Sequence, residues 1–166
     1  MGKKKETQRG TDDSTLFAIH ALSEKPSKQK DEILTAIQSL ERRTFPSSEA
    51  LAIATETVKR NTHLLYAQSS AGIQGYIIYI NTASGLRVHK VCVAEKSRRQ
   101  GIALQLIARV CQVAEKIGKD VDLWVDTART PARECYLKGG FTEIGNVVKD
   151  YYSPGRDAVR MIWTPE

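Results

Sequence analysis

The sequence lacks any long run of apolar residues, so none of its segments can span the hydrocarbon core of a bilayer. Its first residues, Met1 to Glu6, also lack the apolar stretch of a secretory signal peptide. Gly2 has the position of a myristoylated glycine, but Glu6 stands where that motif requires serine or threonine. These absences predict a soluble intracellular protein with no membrane partner, located in the cytoplasm or, alternatively, in the nucleus.

Cysteine is scarce, with three residues in the whole chain: Cys92, Cys111 and Cys135. None of them has the spacing of a metal ligand, and their odd number argues against the disulfide framework of a secreted domain. Each lies in an apolar pattern, as buried cysteines in a reducing compartment do. We therefore expect no bound metal.

An excess of acidic residues is also absent, because the chain of 166 residues carries a net charge of +6. Part of the basic excess lies in a polar leader, residues 1–14, which we predict to be disordered; residues 15–166 then form a single domain. Basic charge suits nucleic acid, an acidic protein surface or a phosphorylated cofactor. The sequence lacks the interleaved aromatic and basic residues of single-strand binders, which disfavours nucleic acid as a partner.

Hydrophobic periodicity predicts strands and helices that alternate along the chain. The predicted strands cover residues 15–22, 63–67, 75–80, 86–93, 121–125, 141–148 and 158–163. The predicted helices cover residues 31–43, 47–60, 101–117 and 131–137. This order indicates an α/β or α+β fold around one sheet with mixed strand directions.

The predicted strand 86–93 has an interrupted alternation. Leu86 and Val88 share one face and Val91 and Val93 share one face, but the two pairs are out of phase. A one-residue bulge near His89 and Lys90 would bring all four onto the same side. The alternative is a central strand that is apolar on both faces.

A basic, glycine-containing turn links this strand to the next helix. It carries Lys96, Arg98 and Arg99, followed by the small residues Gly101 and Ala103. Since the N-terminus of a helix presents unpaired amides and the positive end of the dipole, such a turn is suited to phosphate. As a pattern by itself, it also fits a solvated loop.

Two motifs resemble those of the GNAT superfamily of N-acetyltransferases. Val91-Cys92-Val93 followed by Arg98-x-x-Gly101-x-Ala103 resembles motif A, which in that family wraps the pyrophosphate of acetyl-CoA. Ala132-x-x-x-Tyr136-x-x-x-Gly140-Phe141 resembles the second signature. The resemblance covers about residues 31–163 and implies the GNAT fold, a mixed sheet of about six to seven strands with about four helices.

The same resemblance implies acetyl-CoA as co-substrate and a set of residues that contact it. These residues are Val91, Cys92, Val93, Arg98, Arg99, Gln100, Gly101, Ile102, Ala103 and Arg133.

Two further segments resemble protein N-terminal acetyltransferases of the ribosomal-protein-alanine type. They are the Phe45-Pro46 loop and the Tyr151-Tyr152 segment, which in those enzymes flank the N-terminus of the peptide. The resemblance implies a protein or peptide N-terminus as acceptor and association with the ribosome. Since nothing in the sequence indicates an obligate dimer, we expect a monomer. The alternatives are an enzyme for a small amine or a lysine side chain, and a non-catalytic acetyl-CoA-binding protein.

The catalytic candidates follow from the same alignment of motifs. Tyr136 falls where the family keeps its general acid, the group that protonates the leaving thiolate. Asp126 corresponds to a glutamate of the subfamily and is the first candidate for the base, with His89 as the second because of its suitable pKa. Arg129 replaces an asparagine of the family, and the loop after Asp126 is shorter than in the bacterial relatives.

Overall fold

The computed structural model of the protein describes residues 16–166, and the predicted leader lies outside the described residues. The seven strands of this part form one sheet in the order β1-β2-β3-β4-β5-β7-β6. The strands are β1 (Ala18–Ala21), β2 (Thr62–Ser69), β3 (Gly72–Asn81), β4 (Gly85–Val93), β5 (Asp120–Asp126), β6 (Thr142–Ser153) and β7 (Arg156–Trp163).

Four α-helices accompany the sheet within residues 16–166, and none of them is long and apolar enough to cross a membrane. They are α1 (Ser27–Thr44), α2 (Ile53–Thr57), α3 (Ile102–Lys116) and α4 (Thr130–Lys138). Strands β1 to β4 are antiparallel neighbours, whereas β4 and β5 run parallel and are joined through α3. The mixed sheet with four helices confirms the predicted fold class.

The two faces of the sheet are covered differently. On one, the α3 face, residues of α3 and α4 pack against apolar side chains of β1 to β5 and β7. On the other, the α1 face, α1 and α2 cover only β2, β3 and the end of β4. Strand β5 alternates accordingly: Leu123 and Val125 belong to the core of the α3 face, whereas Asp122 and Asp126 point to the other side. Within residues 16–166, no helix therefore lies above the part of the α1 face over β5 and β7.

The bulge predicted in β4 is confirmed. Ile78 of β3 pairs with Lys90 and the next residue, Tyr79, pairs with Val88, so His89 is the extra residue. With this register, Leu86, Val88, Val91 and Val93 all pack in the core of the α3 face. The alternative of a strand that is apolar on both faces by simple alternation is thereby excluded.

The second predicted helix, 47–60, is wrong in its extent, because only Ile53–Thr57 is helical. Side chains of α1 hold the preceding loop in a non-helical form. The Gln38 amide donates to the Leu51 carbonyl over 2.9 Å and accepts from the Ile53 amide over 2.8 Å. Glu41 accepts from the Leu51 amide over 2.9 Å. These contacts join residues far apart in the sequence, so local periodicity could not reveal them.

The last hairpin is longer than predicted. β6 extends to Ser153 and β7 begins at Arg156. Most side chains of β6 are exposed, and its pairing with β7 is irregular after Ile144. An exposed, irregular edge strand has no apolar alternation, which explains why the sequence pattern ended at residue 148.

Candidate active site

A fork between two parallel strands forms the centre of the site. β4 and β5 pair only from Gly85 to Arg87, opposite Asp120 to Asp122. Beyond these residues, β4 continues along β3 to Val93, while β5 continues along β7 to Asp126. The two strands thus separate toward their carboxyl ends, and the facing backbone edges in the gap are available to a ligand.

The phosphate turn predicted from the sequence lies at the open end of the fork. Gly101 precedes α3 with φ of 78°, and Arg99 also has a positive φ, of 62°. No side chain of the described part of the chain caps α3, so the first amides of the helix are suited to bind an anion. A Cβ placed on Gly101 would meet no atom within 4 Å, which leaves open space beside the backbone.

The predicted cofactor residues present different groups to this turn. Arg98, Arg99 and Gln100 have exposed side chains, and the Arg98 Nε lies 3.4 Å from the Val93 carbonyl oxygen. Ile102 and Cys92 are buried in opposite cores, and Val91 and Val93 pack on the α3 face. These four residues can therefore offer a ligand their backbone, and the exposed side chains add charge.

Gly75, which the sequence analysis did not single out, positions the turn. A Cβ at this site would lie 2.8 Å from the Cys92 carbonyl oxygen and 3.2 Å from the Ile102 side chain. The absence of a side chain lets the start of α3 approach β3 and β4 closely. The signal available in the sequence was a glycine inside a strand pattern, which marks a close approach of other atoms.

The hydrogen bonds of Arg133 go to residues outside the phosphate turn. Its Nε and Nη2 donate to Glu143 of β6, and its Nη1 donates to the Thr127 carbonyl over 3.1 Å. The guanidinium therefore ties α4 to β6 and to the end of β5. Within residues 16–166, no group of three or more His, Cys, Asp or Glu side chains is placed to hold a metal ion.

A buried carboxylate fixes the Phe45-Pro46 loop at one side of the fork. Glu41 is fully buried and accepts hydrogen bonds from the Tyr76 hydroxyl, the Lys90 ammonium and the Leu51 amide. The Lys90 Nζ also lies 3.7 Å from the centre of the Phe45 ring, within cation–π distance. The loop is thus held against β4 at the bulge.

The β6–β7 hairpin bounds the gap on the opposite side. It carries Tyr151 and Tyr152, which the sequence analysis assigned to the acceptor site. The Tyr151 ring stacks on Trp124 at 4.9 Å between centroids and meets the Tyr152 ring edge-on at 4.8 Å. Burial, together with the neighbouring Tyr151 and Asp126, raises the pKa of Tyr152 to about 12. Both side chains remain partly exposed, and the raised pKa keeps the Tyr152 hydroxyl protonated at physiological pH.

Glu49 joins the two walls. Its carboxylate accepts from Arg129 over 2.8 Å and from Arg156 of the hairpin. Burial opposes the charge of this carboxylate, but the ion pairs with Arg156 and Arg129 outweigh it, so that the pKa of Glu49 is lowered. We call these three residues the Glu49 bridge.

We expect Glu49→Gln to raise the KM for the acceptor about threefold to tenfold, because two partly exposed ion pairs of ~0.5–1 kcal/mol each are lost. The KM for acetyl-CoA should stay the same, since the Glu49 carboxylate binds Arg129 and Arg156 and none of the residues of the phosphate turn. Initial-rate kinetics with both substrates varied would measure this, with Glu115→Gln on the exposed side of α3 as the matched control. An unchanged acceptor KM would show that the bridge does not shape the acceptor site.

Tyr136 is placed on α4 between the core of the α3 face and the gap. Its ring is half-buried and lies 5.9 Å from the Phe141 ring. Burial raises the pKa of Tyr136, as do the nearby Cys135 and Tyr152, so its hydroxyl carries its proton throughout the physiological range. No hydrogen bond among residues 16–166 engages this hydroxyl, and since these residues contain no buried polar side-chain atom without a partner, its oxygen is accessible to a ligand.

The two candidate bases have different surroundings. Asp126 is buried at the end of β5, where the Ala128 amide and the Arg156 guanidinium bind its oxygens over 3.0 Å and 2.9 Å. The Ala128 hydrogen bond, with Arg156, lowers the pKa of Asp126 against the effect of burial. His89 forms the bulge itself, and its Nε2 lies 3.7 Å from Glu56. Burial lowers the pKa of His89 although Glu56 acts in the opposite direction.

Comparison with known proteins gives one family. The family model of the acetyltransferase (GNAT) domain matches residues 24–164. No curated protein matches the sequence.

Solved structures with the same fold share little sequence identity with the chain. The ribosomal-protein-S18-alanine N-acetyltransferase from Escherichia coli is 18% identical with a TM-score of 0.72, over 90% of this chain and 94% of that one. A Bacillus subtilis acetyltransferase in complex with CoA is 18% identical with a TM-score of 0.69, over 91% and 100% of the chains. The spermidine/spermine N-acetyltransferase from Vibrio cholerae is 14% identical with a TM-score of 0.66, over 91% and 94%.

Proposed function

Because this chain belongs to the GNAT family of acetyltransferases, we propose that it acetylates the free N-terminal α-amine of a protein or peptide. The enzyme uses acetyl-CoA as the acetyl donor. The observation that carries the proposal is the gap on the α1 face, which is bounded by the Phe45-Pro46 loop and the Tyr151-Tyr152 hairpin and joined across by Glu49. The E. coli enzyme, which is named as an N-acetyltransferase of an alanine of ribosomal protein S18, supports the view that this fold can receive a protein substrate.

The donor site that we propose consists mainly of backbone. The uncapped start of α3 and the open space beside Gly101 fit a pyrophosphate, with the exposed Arg98 and Arg99 adding positive charge. The separated edges of β4 and β5 fit the extended arm of CoA. When bound, acetyl-CoA supplies an activated acyl group in the form of a thioester. Backbone amides at the His89 bulge are suited to polarise its carbonyl.

The acceptor amine must lose a proton before it can attack. At pH 7 this costs about 1.4 kcal/mol for an α-amine with a pKa near 8, and about 4.6 kcal/mol for a lysine with a pKa near 10.4. The site offers no strongly basic group to a lysine, because Asp126 is engaged by Arg156 and has a lowered pKa. A weak base is sufficient for the α-amine.

We propose His89 as that base, acting directly or through water, and Asp126 as the residue that positions Arg156 in the Glu49 bridge. The lowered pKa keeps His89 neutral, and so able to accept a proton, at physiological pH. Tyr136 then donates its proton to the departing thiolate.

The pH profile distinguishes the two bases. Free α-amine deprotonation gives log kcat/KM a slope of one below about pH 8. With His89 as base we expect the slope to become two below the pKa of His89, which is lower than its usual value of about 6.5. The His89→Gln variant should lose this second limb, whereas His63→Gln, on the exposed part of β2, should keep it. A slope of one down to about pH 5 would instead assign the base to Asp126, since its lowered pKa keeps it ionised there.

Mass spectrometry of a mixed peptide pool tests the proposed function itself. Half of the peptides have free N-termini and half have blocked ones, and both halves contain lysine. We expect acetylation of free α-amines only. Modification of the blocked peptides would assign the enzyme to lysine side chains. Absence of modification in both halves would contradict the proposal and direct the search to small amines or to a non-catalytic acetyl-CoA binder, which thermal stabilisation by acetyl-CoA would reveal.

A further inference from the structure

On the α1 face, strands β4, β5 and β7 carry a charged cluster beside the gap. This cluster has no role in the proposed catalysis and is separate from the Glu49 bridge. Asp122 of β5 accepts two hydrogen bonds from Arg87 of β4, over 2.9 Å and 2.7 Å, at the point where the fork closes. It also accepts from Arg160 of β7, over 2.9 Å and 2.6 Å. Two guanidinium groups from the neighbouring strands therefore share one carboxylate.

The charges in this cluster do not balance. Among the described residues, Asp122 is the one carboxylate in ion-pair contact with either arginine, so two positive charges face one negative charge. The carboxylate is buried, whereas the side chains of Arg87 and Arg160 are 41% and 36% exposed. The Nη1 groups of both arginines make no hydrogen bond within residues 16–166. The cluster thus presents a net positive charge and free donors to the gap.

The position of the cluster connects it to the acceptor site. Trp124 lies directly opposite Arg160 in the pairing of β5 and β7, and the Tyr151 ring stacks on Trp124. Tyr151 is also close enough to Arg87 to raise the pKa of the guanidinium, after the larger contribution of Asp122. The β6–β7 hairpin therefore borders the two arginines. The stacked rings of Trp124 and Tyr151 form an aromatic surface beside them, on which a peptide can lie.

We propose that Arg87 and Arg160 bind a carboxylate side chain of the acceptor, so that the enzyme prefers N-termini with an acidic residue among the first positions. This inference rests on the proposed function. A pair of guanidinium donors with surplus positive charge recognises carboxylate and phosphate groups, and of these the side chains of an unmodified peptide carry the carboxylate. The single negative charge of Asp122 cannot balance both positive charges. Its hydrogen bonds hold the two guanidinium groups in place, so the donors are already aligned before the acceptor binds.

The test compares peptides of equal length that have a free N-terminus and carry glutamate, glutamine or lysine at the first, second or third position. We expect kcat/KM for glutamate to exceed that for glutamine about tenfold at one of these positions, with lysine the poorest. The preference should decrease as salt increases, because both guanidinium groups are partly exposed. Equal values for glutamate and glutamine at all three positions would overturn the inference but leave N-terminal acetylation intact.

Variants assign the preference to the cluster. Arg160→Gln leaves Arg87 and Asp122 as a balanced pair, so the ratio of kcat/KM for glutamate over glutamine should fall toward one. Arg160→Lys keeps the positive charge but cannot make the bidentate contact of a guanidinium, so it should give an intermediate ratio of kcat/KM for glutamate over glutamine. Arg109→Gln, on the exposed side of α3, is the matched control and should keep the wild-type ratio.

An unchanged ratio in Arg160→Gln would overturn the assignment. If thermal unfolding shows that this variant is not folded, the Arg160→Lys variant and the salt series decide. Acetylation of none of the peptides by the wild-type enzyme would contradict the proposed function itself, and the acidic preference with it.

Discussion

Replacement of Tyr136 by phenylalanine is expected to lower kcat about 100-fold to 1000-fold, the usual contribution of a general acid, with little change in the KM for acetyl-CoA. The raised pKa keeps the Tyr136 hydroxyl protonated, and the group has no hydrogen-bond partner within the described residues. Its removal should therefore cost little stability. Steady-state kinetics and a thermal melt of the same preparation would separate the loss of catalysis from a loss of folded enzyme.

Tyr79→Phe provides the matched control for this variant. Tyr79 is buried in β3, stacks on His63 and also has a raised pKa because of burial. The Tyr79→Phe variant loses the same chemical group, but at a position in the core, so its kcat should stay at the wild-type level. A Tyr136→Phe enzyme with wild-type kcat would remove Tyr136 from its proposed role as the acid.

Replacement of Gly101 by valine is expected to weaken acetyl-CoA binding at least 100-fold. Gly101 has φ of 78°, and its missing Cβ faces open space at the uncapped start of α3. A branched side chain would occupy the space through which the pyrophosphate approaches the amides, and it would strain the turn by about 1–2 kcal/mol. Isothermal titration with acetyl-CoA would measure the loss of affinity.

The other end of the same helix supplies the control. Gly118 has φ of 62°, and a Cβ placed there also meets no atom within 4 Å. Gly118→Val should therefore have a similar cost in thermal stability, but it should bind acetyl-CoA as the wild-type enzyme does. Near-normal affinity in Gly101→Val, or an equal loss in both variants, would contradict the assignment of the phosphate site to this turn.

The bulge at His89 could be predicted from the alternation of apolar residues alone. The register of one face required an extra residue, because Leu86 and Val88 were out of phase with Val91 and Val93. Burial of four apolar side chains is a strong constraint, so the irregularity was visible in the residues of a single strand.

The second helix shows the limit of the same reasoning. The predicted helix covered residues 47–60, yet side chains of Gln38 and Glu41 bind the loop backbone and leave only Ile53–Thr57 helical. Propensity is a weak determinant of structure where polar groups from another helix satisfy the backbone.

The surroundings of Asp126 were also outside the reach of the sequence, although its candidacy as the base stays a prediction. Its position at a strand end made it the first candidate for the base, and Arg156, thirty residues further along the chain, gives it a different environment.

The sequence by itself determined the donor side of this protein. A strand, a basic turn and the start of a helix are contiguous in residues 86–103, and the amides and charges that suit a pyrophosphate follow from that local order.

Only the tertiary structure decided the geometry of the proposed acceptor side. The Glu49 bridge joins residues from the loop after α1, the loop after β5 and the hairpin, and the pair of arginines on Asp122 requires β4, β5 and β7 to be neighbours. Ion pairs between distant segments depend on the order of strands in the sheet, and that order results from burial of the whole core rather than from any local pattern.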